Sequence, residues 1–356
     1  MKYIYERLHE YDANYFINDL FELSKALGIY EAMINNYQFK SILIPLLHKK
    51  KAVSSMYIEG TQTTISDVFE NEISQAKNDN KIIIEVNNHT RALSFGAEYL
   101  LSDKFSHQFI KKLHEIMLTG IIAENKKNTL GKYKESDNYI VNSLGKVVFT
   151  PPSHKETQKY MDELLNFMNK TDDEINPLIK AAIIHAQFES IHPFDDGNGR
   201  VGRLLVGLYL FKTKVINVPF FYISEAISQD KTVYYNRLTD TRSNNYNEWI
   251  KFFLRKCILQ ATNHIKYVQE LNLLYDKTKN SVKKSINTPR FDVLVEALFT
   301  QPIITSAYLA EHMQTSIVQA KRYLKILEEN KILVSNDKQR CTAYYFMELL
   351  ELVRRN

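Results

Sequence analysis

The segment His192-Pro193-Phe194-Asp195-Asp196-Gly197-Asn198-Gly199-Arg200-Val201-Gly202-Arg203 decides how the fold of this chain is interpreted. It brings a histidine, carboxylates, a glycine-rich turn and two arginines together within a dozen positions. Apolar residues recur at three- and four-residue steps from Pro177 to Ile191, which predicts a helix before the segment. Pro193 disfavours further helix, and the run from Val201 to Phe211 is apolar again. The glycines are therefore expected in a turn that opens a second helix.

Each residue type in this segment suits the binding of a polyphosphate. A helix N-terminus offers free N–H groups and the positive end of the helix dipole, and glycine lets a phosphate approach the backbone. Arg200 and Arg203 share a helix face, and their guanidinium groups match phosphate oxygens. Asp196 is a hard oxygen ligand, and Mg²⁺ usually combines one or two carboxylates with substrate phosphates. His192 is a competent base near neutral pH, because the reference pKa of imidazole is about 6.5.

The segment resembles the signature of Fic-domain proteins, HxFx(D/E)GNGRxxR, at every defined position. Members with the full pattern usually move AMP from ATP to a protein hydroxyl. The resemblance implies that His192 is the general base, that Asp196 holds Mg²⁺ or Mn²⁺, and that Phe194 anchors the loop in the core. The residues that it assigns to ATP are Gly197, Asn198, Gly199, Arg200, Val201, Gly202 and Arg203.

Two other interpretations of the same segment were weighed. Gly197-x-Gly199-x-x-Gly202 also fits the dinucleotide fingerprint, with Glu225 roughly where a ribose-binding acid would lie. That fingerprint requires a preceding strand, whereas a helix is predicted here. A degenerate and inactive Fic site is the other alternative, and the presence of every defined motif residue argues against it.

A second motif, Ser55-Met56-Tyr57-Ile58-Glu59-Gly60, matches the (S/T)xxxE(G/N) pattern of the Fic autoinhibitory helix. Alone the pattern is weak, because a glutamate before a helix-ending glycine is common. Beside the full motif it implies that Glu59, with Ser55, docks on Arg203 and takes the guanidinium that would bind the γ-phosphate. We therefore expect a mostly silent enzyme. In some relatives the corresponding glutamate also supports removal of AMP, and the sequence leaves that open for Glu59.

Further stretches resemble other parts of the Fic site. Residues 140–150 predict a β-hairpin, and the resemblance makes Val147, Val148, Phe149 and Thr150 the flap that docks a target segment by strand addition. An ordinary surface hairpin is the alternative. Tyr222 and Tyr234 are candidates for the adenine pocket, although tyrosines at helical spacing are more often core residues.

Two positions beside the motif are assigned structural roles. His114 lies on an apolar helix and is predicted to be a core residue. Gly131-Lys132-Tyr133-Lys134 resembles a Gly-x-Tyr-Arg stretch of the family, with Lys134 in place of arginine, which predicts a weaker structural contact.

Composition favours a mainly α protein. The chain has 356 residues, 44% of them hydrophobic, with only 10 glycines and 8 prolines. The formal net charge of +5 is too small to imply nucleic-acid binding. The two cysteines, Cys257 and Cys341, form no CxxC pattern, which fits a reducing cytoplasm without a zinc site or disulfide framework. Neither a signal-peptide core nor a membrane-spanning stretch is found, so no membrane association is expected.

Three regions are predicted: a helical region with the inhibitory motif (1–90), a Fic domain (91–275) and a winged-helix-like domain (288–356). The polar stretch Asp276 to Asn287 marks the last boundary. In the winged-helix-like domain, Thr305 or Ser306 would cap one helix, and Thr315 or Ser316 another that runs to Asn330. Residues 332–334 and 343–346 would form the two wing strands.

Three functional hypotheses follow. The first is a cytoplasmic protein adenylyltransferase that uses ATP and Mg²⁺ on a Ser, Thr or Tyr hydroxyl of a target protein, or of itself, and is restrained by Glu59. The second keeps the fold but transfers another nucleotide or removes AMP. The third is a DNA-binding regulator with a nucleotide-sensing Fic domain, in which Lys321, Arg322 and Lys325 touch phosphates. Protein docking is the other role for the winged helix, and a homodimer is one expected assembly because relatives often dimerise.

Overall fold

The computed structural model describes residues 12–35, 40–73, 81–141, 145–171, 174–219, 221–243, 246–336 and 342–355. Most of these residues are helical. The α-helices that they form are α1 (Ile17–Asn35), α2 (Lys40–Ile58), α3 (Ile65–Ile73), α4 (Lys81–Ser102), α5 (His107–Leu118), α6 (His154–Asn169), α7 (Pro177–Ile191), α8 (Asn198–Lys212), α9 (Ser224–Ser228), α10 (Lys231–Arg242), α11 (Tyr246–Ser285), α12 (Phe291–Thr300), α13 (Ser306–His312), α14 (Ile317–Glu329) and α15 (Met347–Arg354). The strands are β1 (Ile140–Val141), β2 (Val147–Phe149), β3 (Ile303–Thr305), β4 (Val334–Ser335) and β5 (Ala343–Tyr345).

Helix α7 lies at the centre of this fold. Pro177 occupies its first turn, where a missing N–H has no effect on helix hydrogen bonding, and the Asn176 side chain accepts a hydrogen bond from the Leu178 N–H at 2.9 Å. All its side chains from Leu178 to Ile191 are buried, because α6, α8, α10 and α11 all pack against it. The predicted helices on both sides of the motif are confirmed, so the motif connects two buried helices.

Helix α8 comes very close to the chain that follows it. A Cβ atom on Gly207 would lie 2.6 Å from the backbone oxygen of Phe221, whereas one on Gly28 of α1 would meet nothing within 4 Å. We expect Gly207→Ala to lower the free energy of unfolding by about 1–3 kcal/mol, because the backbone must move apart. The matched change Gly28→Ala should raise it by up to about 1 kcal/mol through better helix propensity. Urea unfolding of both variants checks this, and a Gly207→Ala protein as stable as Gly28→Ala would contradict the close packing.

Neither predicted domain boundary coincides with the end of a helix. Helix α4 runs through residue 90, and the 40-residue helix α11 runs through residue 275 into the polar stretch that was predicted to be a boundary. The reason is that buried side chains continue at helical spacing, with Leu274, Thr278 and Val282 facing the core while their lysine and asparagine neighbours face solvent. A polar exposed face thus resembled a linker in sequence.

The predicted hairpin and the two wing strands lie close to their predicted positions, whereas β3 was not predicted from the sequence. Strands β1 and β2 pair antiparallel, with Ile140 opposite Phe149, and residues 142–144 between them lie outside the described residues. The C-terminal sheet is antiparallel in the order β3-β5-β4. Residues 337–341, which include Cys341, also lie outside the described part. The expected helix caps are confirmed, since Thr305 accepts from the Tyr308 N–H and Ser316 from the Gln319 N–H.

Within the described ranges, no helix is both long and apolar enough to cross a bilayer.

Candidate active site

The motif forms a short loop between α7 and α8. His192 ends α7 in the left-handed region, with φ 49° and ψ 61°, and its N–H still donates to the Phe188 oxygen at 3.0 Å. Gly197 precedes α8 with φ 75°, and a Cβ there would lie 2.8 Å from a methyl group of Leu118. Left-handed conformation at a histidine is unfavourable and persists only when surrounding structure holds it. The loop geometry is therefore set by its contacts.

Phe194 and Asn198 fix the loop from within. The Phe194 ring is fully buried and stacks on the His114 ring with centroids 3.9 Å apart. The Asn198 side chain accepts from the Phe194 N–H at 2.9 Å and donates to its oxygen at 2.8 Å. His114 accepts the Gly131 N–H at 3.1 Å, so its other ring nitrogen donates to the Asp196 backbone oxygen at 3.1 Å. His114, predicted to be a core residue, is buried and also holds the motif in place.

Lys134 supports the loop from another segment of the chain. It is 3% exposed, and its backbone N–H donates to the Pro193 oxygen at 2.8 Å. Its ammonium group donates to the Asn138 side-chain oxygen at 2.8 Å and to the Ile191 oxygen at 3.3 Å. Burial lowers the pKa of Lys134 to about 8. The lysine therefore retains three contacts at a position where the family pattern has arginine.

Asn138 was not singled out from the sequence. Its amide group donates to the oxygens of His192, at 3.1 Å, and of Phe194, at 3.0 Å. Because Lys134 occupies its side-chain oxygen, the amide nitrogen is directed towards the motif. No local pattern marks an asparagine more than fifty residues from its partners, so only the folded structure identifies it.

His192 carries the features of a neutral general base. Its Nδ1 lies 3.3 Å from the Glu189 backbone oxygen, which can only accept, so Nδ1 carries the proton and Nε2 keeps a lone pair. Burial lowers the pKa of His192 to about 4, and the nearby Lys134 and Arg242 charges act in the same direction. The imidazole is therefore unprotonated at neutral pH.

Arg203 is held by the last turn of α2. One of its terminal nitrogens donates to Glu59 Oε1 at 2.6 Å, and the same nitrogen contacts the Ser55 hydroxyl at 3.1 Å and the Ser55 backbone oxygen at 3.2 Å. The Arg203 side chain is 2% exposed, against 33% for Glu59. We call this set the inhibitory contact, after the role that the resemblance implies for its motif. The sequence motif thus brings Ser55 and Glu59 to Arg203, as the resemblance implied.

The inhibitory contact is a charged pair. Although burial favours the neutral form of Glu59, the charge and hydrogen bond of Arg203 outweigh it and lower the pKa of Glu59. Burial works against the charge of Arg203, but Glu59 holds the pKa of Arg203 above its usual value. A Cβ on Gly199 would lie 2.5 Å from Glu59 Oε1, so a side chain here would displace the Glu59 carboxylate. Glu59 therefore lies directly over the N-terminal turn of α8.

Arg200 is paired with a residue that sequence analysis missed. Its Nη1 donates to Glu85 Oε1 of α4 at 2.9 Å, and its Nη2 lies 3.5 Å from Asp196 Oδ1. Burial raises the pKa of Glu85. Asp196 also accepts the Gly197 N–H at 2.6 Å, yet its side chain is 48% exposed. Both motif arginines thus contact carboxylates from the helices that precede the motif.

In α8, the residues that the resemblance assigns to ATP fall into two groups, one in the first turn and one that faces the core. The backbone N–H groups of Asn198, Gly199 and Arg200 belong to the first turn, where no preceding helical oxygen is available. The Val201 N–H is already bonded to the Gly197 oxygen at 3.1 Å, and its side chain is fully buried. A Cβ on Gly202 would meet only residues of α7, so Gly202 faces the core. Val201 and Gly202 therefore face the core and support the first turn of α8 by packing.

Tyr222 and Tyr234 are core residues in this structure. Each is 1% exposed, and the Tyr234 hydroxyl lies 2.9 Å from His185 Nε2. Neither ring offers a surface to an adenine, which corrects the expectation from sequence, because helical spacing does not say which face is buried. The neighbouring Tyr235 is 43% exposed, and its hydroxyl donates to the Ile58 oxygen at 3.4 Å, beside Glu59.

The predicted flap is largely exposed. Val147 and Val148 are each 49% exposed, and Thr150 is exposed. The Phe149 ring is partly buried and packs on the guanidinium of Arg242 at 3.8 Å. Arg242 was not predicted, and it ties the flap to α10.

The comparisons with known proteins agree with this geometry. Residues 104–210 match a model described as the Fic/DOC family, and residues 18–98 match one described as the Fic/DOC family N-terminal region. A probable protein adenylyltransferase of Aquifex aeolicus is 27% identical over 214 residues, which cover 55% of this chain and 63% of that protein. The protein adenylyltransferase Fic of Nematostella vectensis is 28% identical over 126 residues, covering 35% of this chain and 27% of the relative. The matched part thus spans less than two thirds of either relative.

Solved structures show the same fold. The crystal structure of a Fic family protein from Desulfovibrio desulfuricans superimposes with a TM-score of 0.62 at 19% identity. The superposition covers 94% of this chain and 97% of that one. The similarity therefore includes the C-terminal elements as well as the motif.

Proposed function

Because this chain belongs to the Fic/DOC family, whose two models together match more than half of it, we propose that it transfers AMP from ATP to a protein hydroxyl. The observation that carries the proposal is one loop that brings together a neutral base at His192, an exposed carboxylate at Asp196, the open N-terminus of α8 and the guanidinium of Arg203. These are the groups that positioning and charge stabilisation in phosphoryl-type transfer require.

The reaction proceeds by in-line displacement at the α-phosphorus. His192 Nε2 takes the proton of a target Ser, Thr or Tyr hydroxyl while the hydroxyl oxygen bonds to the α-phosphorus. The bond from the α-phosphorus to the oxygen that bridges to the β-phosphate breaks, and pyrophosphate leaves. The Nδ1 hydrogen bond to the Glu189 oxygen orients the ring and fixes its tautomer throughout. The first-turn N–H groups of α8 hold the phosphates, and Arg200 and Arg203 bind the β- and γ-phosphates.

The residues present fit a Mg²⁺ ion that comes with the nucleotide. Asp196 is half exposed beside the N-terminus of α8, and Mg²⁺ is usually bound by one or two carboxylates plus phosphates and water. No cluster of three or more His, Cys, Asp or Glu side chains in the described ranges could hold a metal by itself. Mg²⁺, or Mn²⁺ in its place, would supply charge neutralisation at the phosphates.

The inhibitory contact restrains this reaction. The γ-phosphate of ATP and the Glu59 carboxylate compete for the same guanidinium, so ATP that enters with Glu59 in place has its α-phosphate turned away from attack. Displacement of Glu59 from Arg203 is thus part of activation. The Glu59 carboxylate would also suit removal of AMP from a modified target. Incubation of the protein with an AMP-modified target tests this second activity directly.

The flap supports a peptide-like target. Strands β1 and β2 form only a two-stranded ribbon, and the exposed Val141, Val147 and Val148 are available to a further strand. A target segment paired to this ribbon would carry its hydroxyl towards His192.

The low pKa of His192 predicts a pH profile. A histidine of ordinary pKa, about 6.5, would lose half of its base form at that pH. Because burial lowers the pKa of His192 to about 4, the base form persists well below pH 6.5. We expect kcat/KM of the Glu59→Gly variant, at saturating Mg²⁺, to stay nearly constant from about pH 8 down to about pH 6. Removing the negative charge of Glu59 moves the pKa of His192 further down. An inflection near pH 6.5, with circular dichroism unchanged, would contradict the neutral-base assignment.

A winged-helix domain is the proposed identity of residues 288–356. The element order α12, β3, α13, α14, β4, β5 and the antiparallel sheet order β3-β5-β4 support it. The exposed face of α14 carries Lys321, Arg322 and Lys325, which favours DNA as a second candidate partner beside protein docking. A mobility shift at two salt concentrations tests this, because phosphate contacts weaken steeply with salt. If no mobility shift occurs at low salt, protein docking remains as the proposed role of this domain.

Intact-mass spectrometry tests adenylyl transfer. The Glu59→Gly variant is incubated with ATP and Mg²⁺, alone and with a cell lysate. A mass increase equal to one AMP, on itself or on a lysate protein, is the expected result. No AMP adduct with ATP, but an adduct with another nucleotide triphosphate, would reassign the donor.

A further inference from the structure

The two arginines of the motif are held in the same manner by two different helices. Glu59, which directly follows α2, pairs with Arg203 at 2.6 Å, and Glu85 of α4 pairs with Arg200 at 2.9 Å. The Arg200 and Glu85 side chains are only 14% and 17% exposed, so the pair is largely shielded from water. Buried ion pairs interact more strongly than exposed ones. Both arginines that the proposed function assigns to phosphates are therefore occupied by carboxylates.

We propose that Glu85 is a second restraint on nucleotide binding, which holds Arg200 away from the β-phosphate and acts independently of Glu59. The proposal rests on the function proposed above. It assigns Glu85 as a positioning residue that acts through Arg200, and it explains why a carboxylate from α4 reaches into a site whose substrate is a polyanion.

The contacts of Arg200 fix the position of its guanidinium group. Its Nη1 is bound to Glu85 and its Nη2 lies near Asp196 Oδ1, so both terminal nitrogens face protein carboxylates. Its Nε is buried and has no hydrogen-bond partner among the described residues. A buried donor without an acceptor is unfavourable. The observed position thus leaves one donor of Arg200 unsatisfied while its other groups are kept from a phosphate.

The charges at the site lead to the same conclusion. Glu59, Glu85 and Asp196 lie around Arg200 and Arg203, so each arginine that is assigned to a phosphate has a carboxylate beside it. A polyphosphate that binds these arginines must displace the carboxylates or meet their negative charge. Removing Glu59 frees Arg203 but leaves Arg200 paired with Glu85. Because Glu59 directly follows α2 whereas Glu85 lies in α4, the effects of the two glutamates are separable.

The test measures ATP affinity with Mg²⁺ by calorimetry, so that it does not depend on transfer. Glu85→Gln keeps the size of the side chain and removes its charge. In a Glu59→Gly background we expect Glu85→Gln to tighten ATP binding by about fivefold to twentyfold, and to lower KM far more than it changes kcat. Glu98→Gln, the same change at an exposed position of α4, is the matched control and should leave affinity unchanged.

An Arg200→Ala background separates this route from a general charge effect. If Glu85 acts through Arg200, Glu85→Gln should have little effect on affinity once Arg200 is absent. Unchanged affinity in the Glu59→Gly background would overturn the proposal. Weaker ATP binding would also overturn it, because Glu85 would then hold Arg200 in its productive position. If Glu59→Gly and the double variant both fail to bind ATP or any other nucleotide triphosphate, the proposed function fails together with this inference.

Discussion

Replacement of Glu59 by glycine is expected to raise the rate of AMP transfer about a hundredfold. The carboxylate holds Arg203 at 2.6 Å in a pocket where the guanidinium is 2% exposed, so the γ-phosphate must displace a shielded ion pair. A restraint that keeps about 99% of sites unproductive corresponds to about 2.7 kcal/mol. That is within the range measured for charged hydrogen bonds that are removed from water. Initial rates at saturating ATP, followed as AMP incorporation, give the measurement.

Two controls isolate the charge of Glu59. Glu59→Gln keeps the shape but not the charge, and it should be activated as well, though less than Glu59→Gly. Glu124→Gly removes a glutamate whose side chain is 85% exposed and should change nothing. Equal rates for the wild type and Glu59→Gly would remove the inhibitory assignment and leave Glu59 as the C-terminal residue of a structural helix.

Replacement of His192 by alanine is expected to lower AMP transfer in the Glu59→Gly protein by about a thousandfold or more, while ATP affinity changes by less than about twofold. General base catalysis contributes about 10²–10⁴-fold, and the imidazole contacts the Glu189 oxygen rather than the phosphate-binding turn of α8. Loss of the base should therefore lower kcat and leave Kd for ATP unchanged.

His312→Ala is the matched control for that prediction. His312 lies in α13 of the C-terminal region and stacks on Tyr308, far along the chain from the motif. It should transfer AMP at the rate of its parent. If His192→Ala instead abolished ATP binding, His192 would be reassigned to the nucleotide pocket.

The parts of the site that could be predicted from the sequence lie within one continuous segment of the chain. The spacing of apolar residues from Pro177 to Ile191 and from Val201 to Phe211 was enough to predict both helices that flank the loop. The chemistry of His192, Asp196 and the arginines follows from residue type. Local sequence carries this information because the loop and its two helices are neighbours along the chain.

The contacts that hold the loop could not be predicted, because they come from distant segments. Asn138, His114 and Glu85 reach the motif only after folding, and each is an ordinary residue in its own stretch. The burial of Tyr222 and Tyr234, which the sequence places either in the adenine pocket or in the core, could not be predicted for a related reason. The spacing of the two tyrosines indicates helices and turns. Their burial, however, depends on which elements pack against them.

The measurement that tests the central claim most directly compares ATP labelled at the α-phosphate with ATP labelled at the γ-phosphate. Each is incubated with Mg²⁺ and the Glu59→Gly protein, with and without His192→Ala, alone and in cell lysate. We expect protein-bound label from the α-labelled ATP only, and its loss in the double variant. Label from the γ-phosphate, or α-label that persists without His192, would contradict it.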